Sequence, residues 1–469
     1  MSESIAEMVL PGTYIEVRSE GLIAVGSIAT GNIGIVGTAA RGPLNAVTQL
    51  GGATEAIDVF GPADLVSNPA HTGGPPLTLV RALQQVFAGG GSNIFAVRIA
   101  GGTPVAAAVN VPASTDDAFV LTASEAGSWG NDIRVVVVDN GTAITPRFRL
   151  SVTYRNQREV FEGGNVGQMR AAVAGSTLVV ASDAANQANG NANLQPFDGN
   201  LTGGDSVPNV NSSHVGDGLG LLEDQPVNIV LVAGLGATVA AAPLQTHVER
   251  TENDGKERIA LVGATASDTA TVLNDAGGIA DDRMILVAPG LRVAEPGSDQ
   301  LVAIGPSYTA ALIAGRLASI APHISLTNQT LPITDLDVNY TTTVHRNLLL
   351  NRVMTVRRRF GFQIVRGIST DPGAFSQVSV RRIVDYAKAG VRLGSNPYIG
   401  KLNNVRVRAA LKATLDGFLS QMVVDEMLTA YELEVSATRA QEIRGIATVV
   451  MTLQPTFSID FIRVTMNLQ

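Results

Sequence analysis

The residues of this chain that could do chemistry are few and scattered. Five histidines, His71, His214, His247, His323 and His345, would be the first candidates for metal ligation or proton transfer. No two of them stand as His-x-His or His-x-x-x-His, the spacings that bring two imidazoles to one ion, so each reads as a satisfied or solvated side chain. The acid pairs Asp116-Asp117 and Asp281-Asp282 would suit acid–base or metal work only if a turn made the two carboxylates converge; loop and helix-cap roles suit them better. Gly234-x-Gly236 is half of a dinucleotide fingerprint, but Val239 stands where the third glycine belongs, which leaves a tight strand–helix turn. Gly255-Lys256 is followed by Glu257 and Gly400-Lys401 by Leu402, so the phosphate-cradling loop that needs Ser or Thr after its lysine is missing. Cysteine is absent, which removes disulfides, thiolate metal sites and a cysteine nucleophile together. Arg357-Arg358-Arg359, with Arg352 and Arg366 nearby, would bind phosphates. In an acidic chain the cluster reads better as a contact for an acidic protein surface or as a strand charge ladder. No catalytic, cofactor-binding or metal-binding residue is assigned, no cofactor is expected, and the chain is not expected to be an enzyme.

What remains is a protein built for contact. Its 469 residues leave room for about three domains, and 45% hydrophobic content supplies more than one core. Only 16% of residues are charged and 49 are glycine, a composition that suits a surface packed against neighbours. Residues 1–340 hold 16 Lys and Arg against 32 Asp and Glu, a balance of −16, whereas residues 341–469 hold 17 against 9, a balance of +8. A reversal of that size predicts different partners for the two segments, with an acidic one for the second. Met1 to Glu7 lacks the basic and apolar regions of a targeting signal, so folding in the cytoplasm is expected. The weakly polar stretch from Val227 to Leu244 is too interrupted for a bilayer span and reads as a buried strand followed by a turn.

The elements that must position these residues follow from periodicity. Asn32 to Thr38 reads as a buried strand, Leu77 to Phe87 as an amphipathic helix and Ile94 to Ile99 as a second strand, an order that favours an α/β layer. Strands at Val227 to Val232, Ile259 to Val262 and Met284 to Val287 repeat it. Between these pieces, Ala118 to Ala123, Ile133 to Val138 and Phe148 to Tyr154 read as strands of an inserted domain. Ala184 to Pro208, rich in Asn, Gly, Ala and Asp, is expected to be an exposed or mobile loop. After Tyr340, strands at Arg359 to Arg366 and Gly445 to Leu453 and helices at Gln377 to Val391 and Val405 to Leu419 predict an α+β domain. Two short strands flank the whole: Thr13 to Arg18, with Tyr14, Ile15 and Val17, and Phe457 to Leu468, apolar in part on both faces through Phe457, Ile459 and Phe461 and through Ile462 and Val464. Extended, the latter reaches about 40 Å, and both suit pairing with foreign sheet edges.

The expected architecture is therefore α/β and α+β multidomain. It comprises an N-terminal strand-exchange arm (1–24), an α/β domain (25–104 and 221–340), an inserted β-rich outer domain (105–220), a C-terminal domain (341–455) and a C-terminal strand-exchange arm (456–469).

Several local motifs carry a resemblance. Pro11-Gly12-x-Tyr14 precedes Gly37-Thr38-Ala39-Ala40-Arg41-Gly42-Pro43, Phe60-Gly61 and a helix ending in Gly-Gly before Val97-Arg98. Gly127-Ser128-Trp129-Gly130-Asn131 then leads into a strand and contains the single tryptophan, which reads as a core plug. Leu201-Thr202-Gly203-Gly204-Asp205, Ala288-Pro289-Gly290, the helix Pro306 to Ile320 and Asn396-Pro397-Tyr398-Ile399-Gly400 follow in order. In these features the chain resembles the contractile tail sheath proteins of phages, R-type bacteriocins and extracellular injection systems. It departs from them after Ile320, where the Trp-x-x-Pro-Ala-Asn lettering is missing.

The resemblance implies a structural subunit that forms a helical cylinder around an inner tube, in stacked six-fold rings, and contracts to drive the tube through a target envelope. It implies baseplate and terminal cap proteins as further partners, no nucleic acid and no direct membrane insertion. It places assembly in the bacterial or host cytoplasm, within a phage tail or tail-like particle that is in some cases released. It also implies a C-terminal domain that faces the tube, for which Arg381, Arg382, Lys388, Arg392, Lys401, Arg406, Arg408 and Lys412 are candidates, and terminal strands that cross into neighbouring subunits. The alternatives are a non-contractile capsid or surface-layer protein and a Rossmann-like α/β enzyme.

Overall fold

The computed structural model describes residues 28–67, 74–295 and 300–467. The chain divides into two units, a larger one of residues 31–320 and 327–372 and a smaller one that includes residues 321–326 and everything described from 373 onward.

The larger unit is organised by a nine-stranded sheet. In spatial order its strands are Thr330–Leu331, Phe362–Ile364, Val353–Arg358, Met284–Ala288, Ile259–Gly263, Ile229–Gly236, Ile33–Gly37, Ile94–Arg98 and Val47–Leu50. The six from Val353–Arg358 to Ile94–Arg98 run parallel, and antiparallel strands close both ends. Parallel strands need helical crossovers and cover on both faces, which is why these segments read as unbroken apolar runs such as Ile-Gly-Ile-Val-Gly and Met-Ile-Leu-Val-Ala. Val36, Val97, Val230, Val262 and Leu286 form one core with helices Ser212–Gly220, Ala237–Asn253, Thr269–Gly277 and Thr342–Leu350. Helices Leu79–Gly89 and Pro306–Ala318 pack on each other and on the sheet. Their approach is close: a Cβ on Gly315 would lie 2.0 Å from the Val86 carbonyl oxygen and one on Gly89 2.2 Å from that of Leu312, so both positions require glycine.

The structure corrects three readings and refines a fourth. The turn expected after the strand near Val227 is the helix Ala237–Asn253, which starts directly at Gly236. Gly234 and Gly236 are explained by close packing, since their Cβ atoms would meet Thr78 at 2.3 Å and Thr265 at 2.5 Å. The strand expected at Arg359 to Arg366 is two strands of a hairpin, Val353–Arg358 and Phe362–Ile364, and parallel pairing to Met284–Ala288 ties residues before 373 to the large sheet. Arginine density, the signal used to begin a new domain at 341, reports surface and not sheet membership.

The fourth point concerns residues 184–208, which are mostly exposed, as expected, but anchored. They contribute the strand Phe197–Asn200, and Ala184, Ala188, Leu194, Leu201 and Ser206 are buried. The segment is held through its backbone: Ala188 donates to Asp117, Gln195 to Pro112 and Leu201 to Ile133, and it returns acceptors to Ser114 and Val166. Composition undervalued it because backbone amides carry the order that apolar side chains usually supply. It completes the β-rich insertion, a four-stranded and a three-stranded sheet around one core of Trp129, Phe119, Phe148, Leu150 and Met169.

His247 gives the larger unit a pH dependence. Its Nε2 accepts from Arg258 at 2.7 Å, which requires a neutral ring with the proton on Nδ1. Burial, together with Arg258 and Arg250, lowers its pKa from 6.5 to about 3. The unfolded chain then binds a proton below pH 6.5 that the folded chain refuses, so stability is intact above 6.5 and falls as pH drops towards 3, by up to about 1.4 kcal/mol per unit from this group. Urea midpoints measured between pH 7.5 and 4.5 are expected to fall more steeply for the parent than for His247→Gln.

Candidate assembly interface

The smaller unit is built on two long helices and one hairpin. Helix Val378–Ser395 buries Val378, Val380, Ile383, Ala387, Gly390 and Gly394 along one stripe, and Val405–Val424, capped by the Asn404 side chain, buries Leu411, Leu415, Leu419 and Met422. Phe418 lies so close that a Cβ on Gly390 would stand 1.9 Å from its ring. Strands Leu428–Ser436 and Thr448–Pro455 pair antiparallel and cover this helix pair through Leu428, Tyr431, Leu433, Met451 and Leu453. The first of these strands went unread in the sequence because its outer face is Thr, Glu and Ser. The signal was the alternation of Tyr431, Leu433 and Val435.

This two-stranded ladder is the unusual feature. Neither of its outer edges is paired with another strand among the described residues, so each presents backbone donors and acceptors in register. Packing on the two helices holds the pair, and its edges are left to accept a further strand.

Directly after the second strand comes the C-terminal arm. Thr456 donates to Met427, and Ser458 and Asp460 exchange hydrogen bonds with the side chain of Gln377 at 3.1–3.4 Å. Beyond that anchor the segment is in no strand through residue 467, and its apolar side chains face solvent: Phe457 61%, Ile459 80%, Phe461 81%, Ile462 82%, Val464 72% and Met466 85% exposed. So dense an apolar exposure marks a contact surface. Tyr14, Ile15 and Val17, expected to form the other arm, lie outside the described residues.

The basic candidates separate by burial. Arg381 is buried, paired with Asp385 at 2.8 Å and stacked 4.2 Å from the Phe375 ring. Arg382 is buried too, donating to the carbonyls of Ala321 and Thr30, and burial lowers its pKa to about 10. Both hold their own unit together. Lys388 and Arg408 are half-buried, and Arg408 is committed to Glu442 at 3.0 Å. Arg392, Lys401, Arg406 and Lys412 are exposed, with Lys401 over the Tyr398 ring.

The Gly127, Trp129, Gly130 and Asn131 motif is structural in detail. Trp129, 1% exposed, donates from Nε1 to the Glu125 carbonyl at 2.9 Å, meets Tyr154 edge to face and lies under Arg41. Asn131 clasps Gly204 by donating to its carbonyl and accepting from its amide. Gly127, at φ 143°, leaves room for the Ala40 carbonyl, and Gly130 sits against Ala107 and Ala123. Buried Arg98 ties the same region by donating to Gly42 and Ala126.

No group of three His, Asp or Glu side chains able to hold a metal ion occurs among the described residues, and no described helix is long and apolar enough to cross a membrane.

Comparison with known proteins places these features. Residues 370–469 match the phage tail sheath C-terminal domain family. A tail sheath protein of Mycobacterium phage Bxz1 is 27% identical over 219 residues, which is 42% of this chain and 37% of that protein, so the match spans little more than a third of that relative. The crystal structure of a sheath tail protein from Desulfitobacterium hafniense superposes with a TM-score of 0.68 at 17% identity, over 95% of this chain and 100% of that one. The helical sheath of the anti-feeding prophage, in its contracted state, gives 0.59 at 12% identity, over 98% and 100%.

Proposed function

We propose that this chain, a contractile-system sheath protein by its C-terminal domain and its fold, polymerises head to tail into a helical cylinder around an inner tube and shortens to drive that tube through a target envelope. The observation that carries the reading is the hairpin Leu428–Ser436/Thr448–Pro455, neither edge of which is paired among the described residues, followed at once by an arm whose apolar side chains face solvent. One copy's arm adds a strand to the next copy's hairpin. Backbone pairing supplies register, and Phe457, Ile459 and Phe461 fill the apolar contacts. A link made by a strand from one subunit's tail is able to survive rotation of the subunits it joins. The stroke draws on a difference in interface energy between two packings, a bistable arrangement that needs no hydrolysis. Baseplate and cap proteins set where it starts and stops, within a phage tail or tail-like particle.

Expression of the chain alone, viewed by negative-stain electron microscopy, tests this. Hollow helical cylinders are the expected result; a monodisperse small oligomer would exclude it.

The exposed cations of the smaller unit are the tube-facing set. Charge complementarity holds a tube reversibly without a deep apolar interface. Reversing Lys401, Arg406 and Lys412 to Glu is expected to weaken co-sedimentation with the tube on the order of tenfold, at about 0.5 kcal/mol per exposed charge. Tube-free cylinders should still form. Unchanged co-sedimentation at low salt would remove these residues from the interface.

A further inference from the structure

The arginine run left unassigned above stands on a hairpin of the larger unit. Strands Val353–Arg358 and Phe362–Ile364 pair with Arg358 opposite Phe362, and three residues close the turn. Phe360 is at its tip with φ 50° and is 90% exposed. Arg359 lies 5.8 Å from the Phe360 ring, and Arg358 lies 5.8 Å from that of Phe362. From residue 338 to 370 the chain has six arginines and no Asp or Glu; Asp335, just outside that stretch, lies 3.9 Å from Arg358. The left-handed region costs an aromatic residue conformational energy, and solvent exposure gains it nothing. A contact that covers the ring supplies the gain that the isolated subunit lacks.

An acidic recess of the right kind exists on the same chain. Helices Ser212–Gly220 and Ala237–Asn253 border a groove of about 640 Å³ lined by Gly216, Leu219, Ala242 and Pro243 together with Asp217 and with Glu223, which is paired to Arg250 of the same lining. Residues 211–256, which include both walls, carry six Asp and Glu against two Lys and Arg, and of the six Glu223, Asp224 and Glu252 are paired to Arg250, Lys256 and Arg283.

We propose that the Phe360 finger of one subunit docks into this groove on a second copy, with the phenyl ring in the recess and Arg358 and Arg359 towards Asp217 on its rim. The contact is heterologous, so repeated it extends a chain of subunits and does not close a dimer. It rests on the self-assembly reading and adds to the arm a second, side-chain-mediated link.

Phe360→p-benzoylphenylalanine, assembled with isotopically labelled parent chain and irradiated, tests it. Cross-links from position 360 to peptides within 211–250 of the differently labelled copy are expected. Cross-links confined to one copy, to other surfaces, or none from assembled polymer would overturn the proposal. In parallel, Phe360→Ser and Asp217→Arg are each expected to raise the critical concentration on the order of tenfold while circular dichroism stays that of the parent. Adding Arg359→Glu to Asp217→Arg should recover part of the loss. An unchanged critical concentration for Phe360→Ser would also overturn it. A parent chain that forms no polymer would instead sink the assembly reading itself.

Discussion

Removal of Phe457–Gln469 is expected to abolish polymer formation and leave a folded subunit. The arm's side chains are 61–85% exposed at Phe457, Ile459, Phe461, Ile462, Val464 and Met466, so the isolated subunit gains little from them. In a neighbour's sheet, each would gain about 1.5–3 kcal/mol on full burial. Losing as few as two such contacts raises the critical concentration roughly a hundredfold. The shorter truncation Phe461–Gln469 keeps Ser458 and Asp460, and with them the bonds to Gln377, and therefore separates loss of the arm from damage to the helix that Gln377 begins. Sedimentation and negative-stain images report the polymer, and circular dichroism melts report the fold. Cylinders from either truncated chain would refute strand exchange through this arm.

Trp129→Ala is expected to destabilise the larger unit by about 3–5 kcal/mol, the usual cost of emptying a fully buried large aromatic site. The side chain contributes more than volume: it donates to Glu125, meets Tyr154 edge to face and carries the Arg41 guanidinium on its ring. Trp129→Phe restores part of the apolar area and none of the hydrogen bond, so it should fall between parent and alanine. Since this is the single tryptophan, urea unfolding has to be followed by circular dichroism. A loss below about 1 kcal/mol would mean that the Asn131–Gly204 clasp and the Arg98 bonds hold the insertion unaided.

Five of the six parallel strands were legible because burial on both faces forces apolar runs; the sixth, Val353–Arg358, was missed because it ends in arginines. Leu79–Gly89 was legible from its 3.6-residue spacing and Pro306–Ala318 from the family resemblance, each within two residues at each end. Trp129 was legible as a plug because a lone indole between glycines has little else to do. The strand Leu428–Ser436 was hidden by a polar outer face, and residues 184–208 by an order carried through backbone hydrogen bonds that composition does not register.

The sequence by itself determined the layer types, the charge reversal between residues 1–340 and 341–469, and the apolar character of the last segment, since each depends only on which side chains occur and how they alternate. Tertiary structure alone decided which cations are exposed. Arg381 and Arg382 sit in the same arginine-rich segment as Arg406, yet face inward because their helix turns that stripe onto its own unit. It decided equally that residues 353–364 join the large sheet, and that the run Arg357 to Arg359 ends in an exposed phenylalanine. Strand partnership and burial are properties of chain segments far apart in sequence, and no local pattern encodes which of them will meet.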